Sequence, residues 1–150
     1  MAQEIERKFL VKPGTDIASL ATSSTEIGQG YLSTEPDRTV RVRIAGERGF
    51  ITIKSRNEGV VRGEWEYEIP VSDARELIAL RGVPSLIKTR YYVPFDGHVW
   101  EIDVFHGRHE GLVMAEVELS SADENVVMPS FVSEEVTGNP KYYNSVLVEG

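Results

Sequence analysis

Most of the chain alternates apolar and polar residues with a period of two, the period of a strand whose faces meet different surroundings. The alternation predicts strands over residues 3–11, 27–33, 39–45, 50–55, 62–71, 86–95, 98–105 and 112–119. Pro13-Gly14 interrupts the pattern after the first of these, and residues 46–49 form a tight link between the third and fourth. Asp96-Gly97 is a favoured pair for a two-residue hairpin turn. Two stretches read as helix. One is a weak signal over residues 16–21. The other starts with Ser72 as N-cap and Asp73 in its first turn, runs to Leu80, and is stopped by Gly82. The tail over residues 130–147 reads as partly helical, broken at Gly138-Asn139-Pro140. Eight short strands on short links predict antiparallel pairing. With no internal repeat or low-complexity linker, residues 1–150 read as one domain.

Sorting each strand by parity places charge on one face of nearly every one. That face carries Glu4, Glu6 and Lys8; Arg41 and Arg43; Lys54; Glu64, Glu66 and Glu68; Lys88 and Arg90; Glu101 and Asp103; Glu116 and Glu118. The other face carries residues such as Val40, Val42, Ile44, Ile51, Ile53, Trp65, Tyr67, Tyr91 and Trp100. One arrangement with this pattern is a half-buried sheet with its charges in water. The signs, however, are segregated by strand, whereas a solvated face mixes them because adjacent like charges repel. Eight strands can also close into a barrel, which has an inside. With the charges inside, one wall is basic and another acidic. Such a cavity suits a polyanion held by Arg and Lys, with divalent cations bridging it to carboxylates. Nine inward acids against six inward bases leave an excess of three negative charges, about what one or two divalent cations offset. The apolar outer face must be covered by helices, by the C-terminal segment, or by a second copy in a homodimer.

Composition narrows the chemistry. A length of 150 residues suits one core, and no apolar run is long enough to span a membrane as a helix. The first residues lack the basic and apolar regions of a secretory signal. With no cysteine there is no disulfide, thiol nucleophile or thiolate metal site, which fits a cytoplasmic protein. A net charge of −8 argues against a nucleic-acid partner recognised through a basic surface. There is no GxxxxGK[ST], GxGxxG or GxSxG. His106-Gly107-Arg108-His109-Glu110 lacks the helical spacing of a zinc site and reads as loop histidines.

Glu4-Ile5-Glu6-Arg7-Lys8-Phe9-Leu10 resembles the ExExK signature of the CYTH family, the triphosphate tunnel metalloenzymes. The resemblance continues in order through Val40-Arg41-Val42-Arg43, Ile53-Lys54, Arg62-Gly63-Glu64-Trp65-Glu66-Tyr67-Glu68, Lys88-Thr89-Arg90, Glu101-Ile102-Asp103, Glu116-Val117-Glu118 and the tail Glu135-Val136-Thr137-Gly138-Asn139-Pro140-Lys141-Tyr142-Tyr143-Asn144. It implies a mainly β, α+β fold: an eight-stranded antiparallel closed β-barrel, or tunnel, with a charged interior and helices packed outside. It also implies Mg²⁺- or Mn²⁺-dependent chemistry on a triphosphate-containing small molecule. Carried over by position, Lys8, Arg41, Arg43, Lys54, Lys88 and Arg90 grip phosphate oxygens. Glu4, Glu6, Glu64, Glu66, Glu101, Asp103, Glu116 and Glu118 are the candidate metal ligands, with Glu4, Glu6 and Lys8 as the catalytic group. Tyr31 is either a site residue or a packed strand tyrosine, and Lys141 either reaches a tunnel mouth or is solvated. The short chain resembles bacterial members that hydrolyse inorganic tripolyphosphate, which ranks first. Broader nucleoside triphosphatase activity, class IV adenylyl cyclase activity and a non-catalytic polyphosphate-binding module are the alternatives.

Overall fold

The computed structural model describes residues 3–149. Its strands are β1 (Gln3–Val11), β2 (Ser23–Ser33), β3 (Arg38–Ala45), β4 (Arg48–Ser55), β5 (Val61–Ile69), β6 (Ser85–Phe95), β7 (His98–Phe105), β8 (Val113–Glu118) and β9 (Val132–Glu135). The α-helices are α1 (Ile17–Leu20), α2 (Val71–Ile78) and α3 (Asn144–Leu147), with 3₁₀ turns at Gly107–His109 and Pro140–Tyr142.

All neighbouring strands pair antiparallel, in the order β5-β4-β3-β2-β6-β7-β8-β1-β9, and β1 also pairs with β5. That last pairing, through Gln3, Glu4 and Ile5 against Gly63, Arg62 and Val61, closes eight strands into a barrel. The ninth strand takes over the same edge of β1 further along, at Phe9 and Val11. The β6–β7 turn has the backbone its sequence calls for: Asp96 and Gly97 both have positive φ, 50° and 80°.

Two parts of the chain cover the outer, apolar face. The second helix packs on β2, β3 and β4. Two glycines allow this close approach. A Cβ on Gly49 would meet the Cβ of Ala74 at 2.9 Å, and one on Gly30 would meet Val83 at 2.9 Å. On another side, Trp100 is fully buried and packs against Phe9 and Phe131, with ring centroids at 5.6 and 6.1 Å. Phe131 arrives from the segment between β8 and β9, so the tail covers this wall. Tyr67 and Ile87 remain 60% exposed. Inside the barrel, a separate cluster of Tyr31, Leu86, Phe105, Met114, Val136, Leu147 and Val148 fills one end of the lumen with side chains from four barrel strands and the C-terminal segment.

The tail departs from the sequence expectation. Residues 132–135 form a strand, and only residues 144–147 form an α-helix. The start of α2 differs as well. Pro70, not Ser72, occupies the N-cap, and no side chain bonds the first-turn amides. Proline fixes its own φ and ends β5 before the helix begins, so the chain turns two residues earlier than the Ser-Asp signal suggests.

Candidate functional site

Strand order turns the segregation of signs along the sequence into a segregation in space. Around the barrel, β4, β3, β2 and β6 are adjacent, and so are β7, β8, β1 and β5. The first four present Lys54, Arg41, Arg43, Lys88 and Arg90 to the lumen; the second four present Glu101, Glu116, Glu118, Glu4, Glu6, Glu64 and Glu66. Lys8 and Arg62 are the cations set within the acidic half. All of these line one cavity of about 190 Å³, together with Tyr31, Thr39, Tyr143, Asn144 and Ser145.

Ion pairs run both between the two walls and within the acidic one. Lys54 Nζ lies 3.1 Å from Glu4 and 3.2 Å from Glu64, and Arg62 Nε donates to Glu4 at 3.1 Å. Lys8 faces Glu116 at 3.6 Å, while Arg41 and Arg43 reach Glu66 at 3.4 and 3.5 Å. Thr52 Oγ1 donates to the same Glu66 oxygen at 2.7 Å. These contacts leave guanidinium capacity over. Nε of Arg41 and Nε of Arg43 are buried and have no protein partner. A buried charged donor without an acceptor is costly, so both are donors suited to an anion in the lumen.

The acidic half shows the complementary imbalance. Glu101 sits directly opposite Glu116 across β7 and β8, and Glu6 opposite Glu118 across β1 and β8. Like charges opposed on one face of a sheet destabilise it. Burial pushes the Glu6 carboxyl well above its ordinary value, and Glu116 and Glu4 push it further. Burial also acts to raise Glu116, but Lys8, Arg90 and Lys88 outweigh it and hold Glu116 well below the usual range. Among the described residues no three acidic or imidazole groups already converge on one point. The donor set is nonetheless all carboxylate oxygen, hard and in excess of its cations, which fits a hard divalent cation that keeps part of its water. On the basic wall, burial lowers Lys88 to about 8, and lowers Arg43 to about 10 with help from Arg41 and Arg90.

Asp103 is the one predicted site residue that does not line the cavity. It is 1% exposed and lies behind the basic wall. One oxygen accepts from Arg90 Nε at 2.8 Å; the other accepts from Arg90 at 2.9 Å and from Lys88 Nζ at 2.7 Å. Glu68, which shares the inward parity, pairs with Arg48 at an exposed rim. Tyr31 lines the cavity and belongs to the apolar end cluster. Lys141 is exposed, with its Nζ 5.5 Å from the ring of Tyr142. His106 bonds Thr89, and His109 bonds the carbonyl of Leu147. Arg62, which was not among the expected site residues, shares the parity of Glu64 and lines the cavity. Tyr143 and Asn144 end the tail stretch that resembles the family, and Ser145 follows it; the tail has no periodic signal that would have assigned them to the cavity.

A closed antiparallel barrel with a charged lumen, basic on one half and acidic on the other, defines the class of structure. The chain belongs to the CYTH domain family, whose sequence profile matches residues 2–143. An inorganic triphosphatase of Acetivibrio thermocellus is 45% identical over 152 residues, covering 99% of this chain and 95% of that protein. An inorganic triphosphatase of Nitrosomonas europaea is 37% identical over 148 residues, covering 96% and 95%. A crystal structure of an inorganic triphosphatase superposes with a TM-score of 0.68 at 34% identity, covering 98% of both chains.

Proposed function

We propose that the chain is a metal-dependent triphosphatase that hydrolyses inorganic tripolyphosphate to diphosphate and phosphate. The observation that carries this is the division of one enclosed lumen into a basic and an acidic half. The substrate choice is supported by the two similar proteins being inorganic triphosphatases. It is also supported by the cavity. At about 190 Å³ with one end filled by apolar side chains, it is smaller than the roughly 300–1,000 Å³ of sites that enclose organic ligands.

Arg41, Arg43, Lys54, Lys88, Arg90, Lys8 and Arg62 bind phosphate oxygens, with the Arg forks placed for paired contacts. They draw charge from the transferring phosphoryl group and the leaving diphosphate, which is where hydrolysis builds it up. Bound Mg²⁺ or Mn²⁺, held by carboxylates such as Glu116, Glu118 and Glu4, would neutralise substrate charge and orient the phosphate chain. Glu6, whose carboxyl burial, Glu116 and Glu4 push well above its ordinary value, takes the proton of the attacking water. Water adds to a terminal phosphorus as the bond to the bridging oxygen breaks, so no covalent enzyme intermediate is required. Asp103 holds Arg90 and Lys88 in position rather than binding metal.

The test is a panel of tripolyphosphate, ATP and thiamine triphosphate, each with Mg²⁺, Mn²⁺ or Ca²⁺, read by phosphate release and by cyclic AMP. Preferred, metal-dependent phosphate release from tripolyphosphate is the expected result. Preference for ATP or formation of cyclic AMP would replace the substrate, and tight binding without turnover would replace the enzyme with a binding module.

A further inference from the structure

The end of the lumen filled by the C-terminal segment is more than a stopper. Tyr143, Asn144 and Ser145 line the cavity alongside the charged walls. Asn144 Oδ1 accepts from Lys88 Nζ at 3.0 Å and from Gln29 Nε2 at 3.2 Å. Lys88 is 1% exposed, and it also donates to Asp103 Oδ2 at 2.7 Å. An ammonium has three donors in a tetrahedral arrangement. With two committed, to Asp103 behind the wall and to Asn144 on the tail, the direction of the third is fixed, and Lys88 itself lines the cavity.

The acceptor is itself held. Because Lys88 can only donate, Asn144 must present its oxygen to it, and Gln29 must then present its amide nitrogen to that oxygen. Gln29 is fully buried, and its Nε2 also reaches Tyr31 Oη at 3.3 Å. The segment carrying Asn144 is anchored from two sides. Leu147 and Val148 are buried against Tyr31, Leu86, Phe105 and Met114. From outside the barrel, His109 meets the carbonyl of Leu147 at 2.6 Å, and Arg108 donates to that of Val148 at 2.7 Å.

From this geometry we infer that Asn144 is a positioning residue of the active site. Delivered by the C-terminal segment, it aims Lys88 at the substrate, so the basic wall is complete only when that segment is seated. The inference rests on the triphosphatase reading for its kinetic consequence. Asn144→Leu, close in size but without an acceptor, is expected to lower kcat for tripolyphosphate about tenfold or more, the scale of a lost hydrogen bond to a charged group. Asn144→Asp keeps the acceptor. It is expected to hold kcat within about threefold while its added charge raises KM for a polyanion. In a Lys88→Met background Asn144→Leu should cost almost nothing further, because the group it acts through is gone. Equal losses in both backgrounds, or an Asn144→Leu enzyme with unchanged kcat, would overturn the assignment. The same cycle read by denaturant unfolding needs no substrate. Coupling between positions 144 and 88 is expected there, and additivity would refute the contact even if tripolyphosphate proved not to be the substrate.

Discussion

Single residues set the electrostatics of this lumen, and Asp103 shows how. Burial acts to raise its carboxyl, but Arg90 and Lys88 outweigh burial and hold it at about 2, against an ordinary 3.8. A carboxylate whose folded-state value is depressed stabilises the fold above its ordinary value and loses that contribution as pH falls through the folded value. Asp103→Asn is therefore expected to destabilise the chain by about 3–5 kcal/mol near neutral pH, since it strands two buried cations. In denaturant titrations the gap between wild type and variant should narrow as pH falls from 3.8 toward about 2; a gap independent of pH would contradict the pairing. Glu6 gives the opposite sign. It faces Glu116 and Glu4, so Glu6→Gln should leave the metal-free chain as stable or more so, while lowering kcat by about 10²-fold or more. Full turnover in that variant would remove Glu6 from proton transfer. The inward charged residues were legible in the sequence because strand parity is a strict geometric rule. Asp103 obeys that rule and still does not reach the cavity, because direct pairing with Arg90 across β6 and β7 occupies it. Parity gives the face of the sheet; the neighbour across the strand decides who reaches the space.

At the scale of elements, strands were easier to read than the segments that cover them. The alternation located all eight barrel strands, since all of them but β2 have one apolar and one charged face. The tail had no such signal. Its strand is four residues long, reads Val-Ser-Glu-Glu, and borrows the edge of β1 that β5 leaves unpaired. Asn144 closes the tail stretch that resembles the family, but no period marks its role, which depends on where the tail is tethered. The packing of α2 gives a test at this scale. At Gly49 an added methyl group would press on the Cβ of Ala74, the carbonyl of Ile69 and the backbone of Val71, none of which is a flexible side-chain end. Gly49→Ala is expected to lower stability by about 1–3 kcal/mol in denaturant melts with kcat largely kept, because α2 lies outside the barrel. A neutral effect would mean that α2 sits further from the sheet than described.

The whole molecule is a barrel whose closure brings strands distant in sequence into two opposed half-walls. Its acidic half carries like charges face to face at Glu101–Glu116 and Glu6–Glu118. A divalent cation relieves that repulsion in the folded state and has no comparable site in the unfolded chain. Added Mg²⁺ should thus raise the melting temperature in a concentration-dependent way, and Glu116→Gln should blunt the rise; equal shifts in both would place the ion elsewhere. The basic half makes a separate demand. Arg41→Ala removes a buried fork from the lumen and should raise KM for tripolyphosphate about tenfold or more. The most direct measurement of the central claim joins the two halves: phosphate release from tripolyphosphate by chelator-stripped protein, before and after Mg²⁺ is restored, in wild type and in Arg41→Ala. The structure predicts no turnover without metal, recovery on its addition, and an Arg41→Ala enzyme that needs far more substrate to reach it. Turnover that ignores the metal, or an Arg41→Ala enzyme as avid as wild type, would contradict a tunnel that works by opposing its walls.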